Sequence, residues 1–234
     1  MLKSNELVGF GGAADGAVEF PALSDLVFRY RADQGVTGDP TVTAWNDISG
    51  NGHHLDSAGG NPQLGTDGPN GTACITFDGS DYLNMGGTTY TSEAAPYSIW
   101  IVLDVINWVA NSYVLTVHTG NNQVIQNRTT DGLIKLGAGL LPSCQVSITE
   151  GQFHCLRSTV NGASSFQSLD GTDTSTANIG TQAANTVSLS ANTYNGNISN
   201  QRVCELWMTG DDTSGAETAA LEAYVADRYS ITFA

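Results

Sequence analysis

Basic residues are scarce in this sequence: 8 Lys and Arg stand against 23 Asp and Glu, a formal net charge of −15 over 234 residues. A surface of that sign repels phosphate backbones, so nucleic acid is not an expected partner. The acidic residues are spread out, which favours solubility over a dedicated docking surface for a basic partner. Long apolar runs are also missing. Hydrophobic residues make up 40% of the chain, yet no run approaches the ~18 residues that a membrane helix needs, and no membrane partner is expected. The start, Met1-Leu2-Lys3-Ser4-Asn5-Glu6, has no basic region followed by an apolar core. No secretory signal peptide is read from it, although a mature chain would have lost one. The cysteines, Cys74, Cys144, Cys155 and Cys204, lie too far apart for a zinc knuckle. Buried free thiols are the default for a chain without an export signal. A Cys144–Cys155 bridge across a hairpin is the alternative.

Catalytic motifs are equally sparse. A retaining glycosidase needs two carboxylates about 5 Å apart, which a Glu-x-Asp-x-Glu run on a strand would supply. None is present, and Glu205 stands alone between Cys204 and Leu206. There is no Gly-x-Ser-x-Gly elbow, and His53, His54, His118 and His154 have no Cys or Ser partner by spacing. His53-His54 reads as a surface pair in a turn and His154 as a packed strand residue. The chain is therefore expected not to be an enzyme.

What the sequence does contain is turns: 27 Gly, with only 13% charged residues. Two phrases stand out, Trp45-Asn46-Asp47-Ile48-Ser49-Gly50-Asn51-Gly52-His53-His54 and Ile75-Thr76-Phe77-Asp78-Gly79-Ser80-Asp81-Tyr82-Leu83. In each an apolar anchor runs into residues that accept left-handed angles or bond their own backbone, the pattern of a strand entering a tight turn. Leu26 to Asp33 alternates as a half-buried strand. Tyr97 to Val105 is almost continuously apolar and β-branched or aromatic, which predicts a central strand buried on both faces. Strands are also expected at Ser112–His118 and Gln123–Arg128, separated by a Gly120-Asn121-Asn122 turn. Gln152 to Val160 ends at Asn161-Gly162, a hairpin signal, and Ser164 to Leu169 ends at Asp170-Gly171. Thr186 to Ser190 is a further strand, and Arg202 to Met208 is the last long one. Ser214, with Glu217 three residues on, then opens a helix as N-cap and capping box. Its apolar face is Leu221, Tyr224 and Val225, with Arg228 at the same spacing.

The two turn phrases together resemble the opening of a laminin G-like, concanavalin A-like jelly-roll domain of the type found in bacterial and phage surface proteins. The Asn-Gly and Asp-Gly hairpins, with Asp170-Gly171-Thr172, are similar to the same pattern. So is the closing order of Glu-bearing strand, acidic turn, short helix and Tyr229-Ser230-Ile231. The resemblance covers residues 24 to 231 and is weakest between Leu133 and Asn200. It implies an all-β fold, a concanavalin A-like jelly-roll sandwich of two antiparallel sheets with one short C-terminal helix. Residues 1–22 read as a flexible arm and residues 23–234 as the domain. The arm is Gly- and Ala-rich, but Leu7, Val8, Phe10, Val18 and Phe20 give it points for docking on a partner.

Related modules bind glycans, and some hold Ca²⁺ with loop oxygens, which suit a hard cation. The calcium candidates are Asp47, Asp78 and Asp81, with Asp211 and Asp212 beyond them; the favoured alternative is that Asp47 and Asp78 bond their own turns. For a glycan, the candidates are Trp108 and Tyr194 as aromatic platforms, with Asn192, Asn195 and Asn197 beside Tyr194. Trp108 reads equally as a core residue; Trp45, Trp100 and Trp207 read as core. Jelly rolls of this kind decorate phage heads and tail fibres. The expected function is accordingly that of a non-enzymatic virion surface protein, homo-oligomeric or lattice-bound, with capsid or tail subunits and cell-surface glycans as partners. A free carbohydrate-binding module of a bacterial surface or secreted protein is the alternative, and a glycan hydrolase using Glu205 the third reading.

Overall fold

The computed structural model describes residues 18–86, 89–119, 125–128, 132–140, 144–174, 176–192, 194–213 and 215–234. Strands are numbered along the chain. The long apolar run forms β8 (Tyr97–Asn107), buried from Tyr97 through Val105. Side chains alternate across a strand, so a run with no polar face must have a core on each side. Tyr97, Ile99, Ile101, Leu103 and Val105 join one apolar cluster, and Trp100 and Val102 join another.

Among the described residues there are two large antiparallel sheets. The eight-stranded one runs β15 (Thr172–Asp173), β14 (Phe166–Leu169), β13 (Phe153–Val160), β8, β17 (Asn200–Thr209), β6 (Cys74–Asp78), β5 (Gln63–Gly65), with β1 (Leu26–Arg31) also paired to β17. The seven-stranded one runs β12 (Cys144–Ser147), β11 (Leu133–Leu136), β10 (Ile125–Arg128), β9 (Leu115–Thr116), β16 (Ser188–Leu189), β7 (Tyr82–Asn84), β4 (Ser57–Gly59). A ribbon of β2 (Val36–Thr37) and β3 (Ala44–Trp45) accompanies them. This is the expected jelly-roll sandwich, and the larger core lies between the sheets. β11 and β12 fill the stretch where the sequence pattern was weakest. The expected Gly120-Asn121-Asn122 turn lies outside the described residues.

β17 is shared. Its first residues, Asn200 to Val203, pair with β6, and Glu205 to Thr209 pair with β1. The change of partner falls at Cys204, whose carbonyl accepts from the Ala32 amide at 2.9 Å. There the pairing with β8 also slips, between Val203 and Glu205. Such an irregularity re-aims side chains: Cys204 and Glu205 both contact the layer that covers the outer face of the sheet.

That layer is α1 (Gly215–Tyr229), whose buried residues Leu221, Tyr224, Val225 and Tyr229 recur at helical spacing. Glu217 sits in its first turn; the Ser214 cap lies outside the described residues. The helix buries Trp100 and Trp207, stacked at 5.6 Å and 12°, with Cys74, Cys155 and Cys204. All four cysteines are buried free thiols. The alternative Cys144–Cys155 bridge is not formed, because Cys144 belongs to the core between the sheets and Cys155 to the core under the helix.

Glu205 is wholly buried beneath α1. It accepts from Arg29 Nε at 2.7 Å, Tyr229 Oη at 2.7 Å and Tyr224 Oη at 2.8 Å. Burial, reinforced by the Glu205 charge, pushes the Tyr224 hydroxyl up to about 12 and raises that of Tyr229, so both remain donors. The lone strand carboxylate is thus a sheet-to-helix anchor. Phe20 completes the joint, edge-on to Tyr224 at 5.2 Å and Trp207 at 5.6 Å, with the Arg29 guanidinium 3.6 Å from its ring centre. The Val18 amide donates to Asp227 at 3.0 Å. These two arm residues therefore lie along the domain's own helix; Leu7, Val8 and Phe10 lie outside the described residues.

Candidate functional site

The connection from β16 to β17 holds most of the sequence-picked glycan residues. Asn192 folds it: its Oδ1 accepts from the Tyr194 amide at 3.0 Å and the Gly196 amide at 2.9 Å. Its backbone carbonyl accepts from Asn195 at 2.9 Å, and its amide donates to Gly196 at 3.0 Å. Asn195 and Asn197 take positive φ, 59° and 55°, a region Asn tolerates better than most residues. The Asn195 side chain accepts from Asn84 Nδ2 at 2.6 Å, and the Asn197 carbonyl accepts from the Tyr113 amide at 2.8 Å. Asn192 thus spends its oxygens on the loop, and Asn195 and Asn197 stay exposed on it. At the tip of this pinned loop Tyr194 is 67% exposed.

Trp108 is set differently. It follows β8, is half-buried, and packs against the core between the sheets, while its amide donates to Glu150 at 2.7 Å. Its ring is partly covered rather than an open platform.

The calcium candidates Asp47, Asp78 and Asp81 accept hydrogen bonds from backbone amides. Asp47 accepts from the amides of Arg29 (2.9 Å), Ser49 (2.8 Å) and His53 (3.1 Å) and from the Ser49 hydroxyl (2.8 Å). Asp78 accepts from the Ser80 amide and hydroxyl, and these bonds lower its pKa. Asp81 accepts from the Asn61 and Asp78 amides. Among the described residues no three His, Cys, Asp or Glu side chains gather in a way that would hold a metal ion.

Asp47 also orders the paired histidines. Besides holding the His53 amide, it donates its own amide to His54 Nδ1 at 3.1 Å. The Tyr30 hydroxyl donates to the His53 carbonyl, and the His53 ring lies 4.6 Å from that of Tyr90. Burial lowers the His53 pKa. The histidines and Tyr90 line a cleft of about 520 Å³ with Asp56, Met85, Thr89 and Thr91. His54 is exposed and His53 half-buried; the contacts with Tyr30 and Tyr90 were hidden from the sequence because both are far from the pair along the chain.

A different acidic group sits at the exit of β17. The interaction of the Asp211 carboxyl with Asp25, followed by desolvation, raises the Asp211 pKa to about 6. The folded state then holds more protons than the unfolded one between about pH 4 and pH 6, so the stabilisation is present at the acidic end and is lost as pH rises through that window. Asp211→Asn removes the titration. The melting temperature of the variant minus that of the wild type should grow from pH 4 to pH 7; a constant difference would disprove the raised pKa of Asp211.

No protein-family model matches the sequence, and neither does any curated protein. Solved structures do. Domain 4 of AbnA, a GH43 extracellular arabinanase from Geobacillus stearothermophilus, in complex with arabinotriose, aligns with a TM-score of 0.61 at 13% identity, covering 86% of this chain and 98% of that one. Trypanosoma rangeli sialidase in complex with sialic acid gives 0.55 at 10% identity over 89% of this chain, which spans only 34% of the sialidase chain. The binding domain of Paraclostridial Mosquitocidal Protein 1 gives 0.54 at 12% identity, covering 86% and 52%. At such identities the likeness is one of fold: the chain is a β-sandwich.

Proposed function

We propose that this chain is a non-enzymatic carbohydrate-binding sandwich and that Tyr194 is its stacking platform. The observation that carries this reading is the exposure of Tyr194 on a loop whose backbone is already tied down. Sugar rings offer C–H faces to an aromatic ring, and a side chain with few torsions on an ordered loop loses little freedom on binding. The exposed amides of Asn195 and Asn197 supply hydrogen bonds beside it. Support by likeness comes from the arabinanase domain, which was solved with arabinotriose. On a broad glycan array, with and without Ca²⁺, the wild type should bind at least one glycan saturably. Tyr194→Ala should weaken it about tenfold, equal to about 1.4 kcal/mol, with an unchanged melting temperature. A blank array, or an indifferent Tyr194→Ala, defeats the proposal.

The same module is proposed to sit on the surface of a virus particle, as a head decoration or a tail or fibre component of laminin G-like type. The support is the resemblance of the turn phrases and the Gly-rich leader with its apolar points Leu7, Val8 and Phe10. In a density gradient of the native source the chain should travel with particles at a fixed copy ratio. Recovery only as free protein would return it to the bacterial carbohydrate-binding alternative.

A further inference from the structure

We infer that Tyr194 is one end of a longer site whose other end is the His53–His54 cleft, and that the ligand is a neutral oligosaccharide rather than a single or acidic sugar. The inference deepens the carbohydrate reading and rests on it. The two places are joined by one short stretch of chain. Asn84 donates to Asn195, next to Tyr194, at 2.6 Å. The Oδ1 of Asn84 accepts from the Gly86 amide at 2.8 Å, and Met85, between these two residues, lines the cleft. Counting chain steps and one side-chain bond, the path between them is at most on the order of 15 Å. A ligand of a few sugar units is long enough to follow that path.

The cleft has the size and chemistry of a sugar subsite. Its volume of about 520 Å³ lies within the roughly 300–1,000 Å³ of small-molecule sites. Because His54 Nδ1 takes the Asp47 amide, the neutral ring keeps its proton on Nε2, a donor on an exposed side chain. Asp56 is an acceptor, and Thr89 and Thr91 bring hydroxyls of either role. The Met85 side chain and the paired rings of His53 and Tyr90 form the apolar wall. Donors and acceptors side by side against an apolar wall match vicinal sugar hydroxyls and the C–H face behind them. The histidine side of the cleft is ordered in advance by Asp47 and Tyr30, so little ordering cost remains for binding.

Charge selects the class. The lining carries a carboxylate and neither Lys nor Arg, and the segment from Ser190 to Asn200 contains no basic residue. The protein as a whole is strongly acidic. A sialylated or uronic-acid chain would meet repulsion with no countercharge.

The test is a length series on the full chain. Neutral arabino-, xylo- and cello-oligosaccharides of one to six units are titrated calorimetrically, with sialyllactose and oligogalacturonate as acidic probes. For the neutral series that binds, affinity should rise at least tenfold from the shortest to the longest ligand. Asp56→Asn and Thr91→Ala, in exposed positions that tolerate substitution, should each erode that gain and leave the short ligands unaffected. Tyr194→Ala should weaken every length. Wild-type binding without a length gain, cleft variants that match the wild type at all lengths, or a preference for the acidic probes would overturn the longer site while leaving the Tyr194 platform intact. Failure of the wild type to bind any neutral or acidic probe would overturn the carbohydrate reading itself.

Discussion

Glu205→Gln is expected to lower the free energy of unfolding by about 3–5 kcal/mol, the usual result of removing one partner from a buried ion pair. Glu205 is completely enclosed and receives three hydrogen bonds, from Arg29, Tyr224 and Tyr229. Glutamine keeps the shape but not the charge. It leaves the Arg29 guanidinium, itself largely covered, without its countercharge, and puts an NH₂ where two hydroxyls already donate. Urea titration of both proteins gives the difference directly. A loss under about 1 kcal/mol would mean that water or the Phe20 ring stabilises Arg29 unaided. The pair contributes less than its rupture costs, so Arg29→Met combined with Glu205→Leu should recover much of the loss. The same geometry disfavours Glu205 as the proton donor of a hydrolase, since substrate cannot reach it while α1 is in place.

Trp207→Ala should cost a similar ~3–5 kcal/mol, the range for emptying a buried aromatic site. Its ring is wholly buried against Trp100 and the edge of Phe20. Trp207→Phe provides the sharper comparison. The Trp207 indole nitrogen has no hydrogen-bond partner, and an unmet buried donor costs about 1–3 kcal/mol. Phenylalanine removes that burden as alanine does but keeps much of the ring packing, so it should lose far less than alanine. Equal losses in the two variants, measured by denaturant unfolding, would show that a phenyl ring recovers none of the packing.

The parts legible in the sequence were those set by local periodicity. β8 declared itself as an unbroken apolar run, and α1 by the spacing of Leu221, Tyr224 and Val225. The turn chemistry of Asp47 and Asp78 was local too, each side chain bonding amides two residues on. Tyr194 was visible as an aromatic among asparagines because the Asn192 turn that presents it lies within five residues. What stayed hidden depends on distant pairings. Glu205 gave no hint of Arg29, 176 residues away. His53 and His54 looked like a solvated pair because Tyr30, Met85 and Tyr90 reach them only through the folded sandwich. Trp108 read equally as platform or core because its surroundings are set by how the chain turns after β8, not by its neighbours in sequence.

The shared strand has a consequence for how this chain is made. β17 holds β1, β6 and β8 in one sheet, and Leu26 must find Thr209 to do so. During synthesis on the ribosome the early strands emerge long before their common partner, so the central sheet stays open, with bare edges, until nearly the whole domain has left the exit tunnel. Contacts of such long range also form slowly. The vulnerable interval is therefore translation itself, when unpaired strand edges are most exposed to other chains.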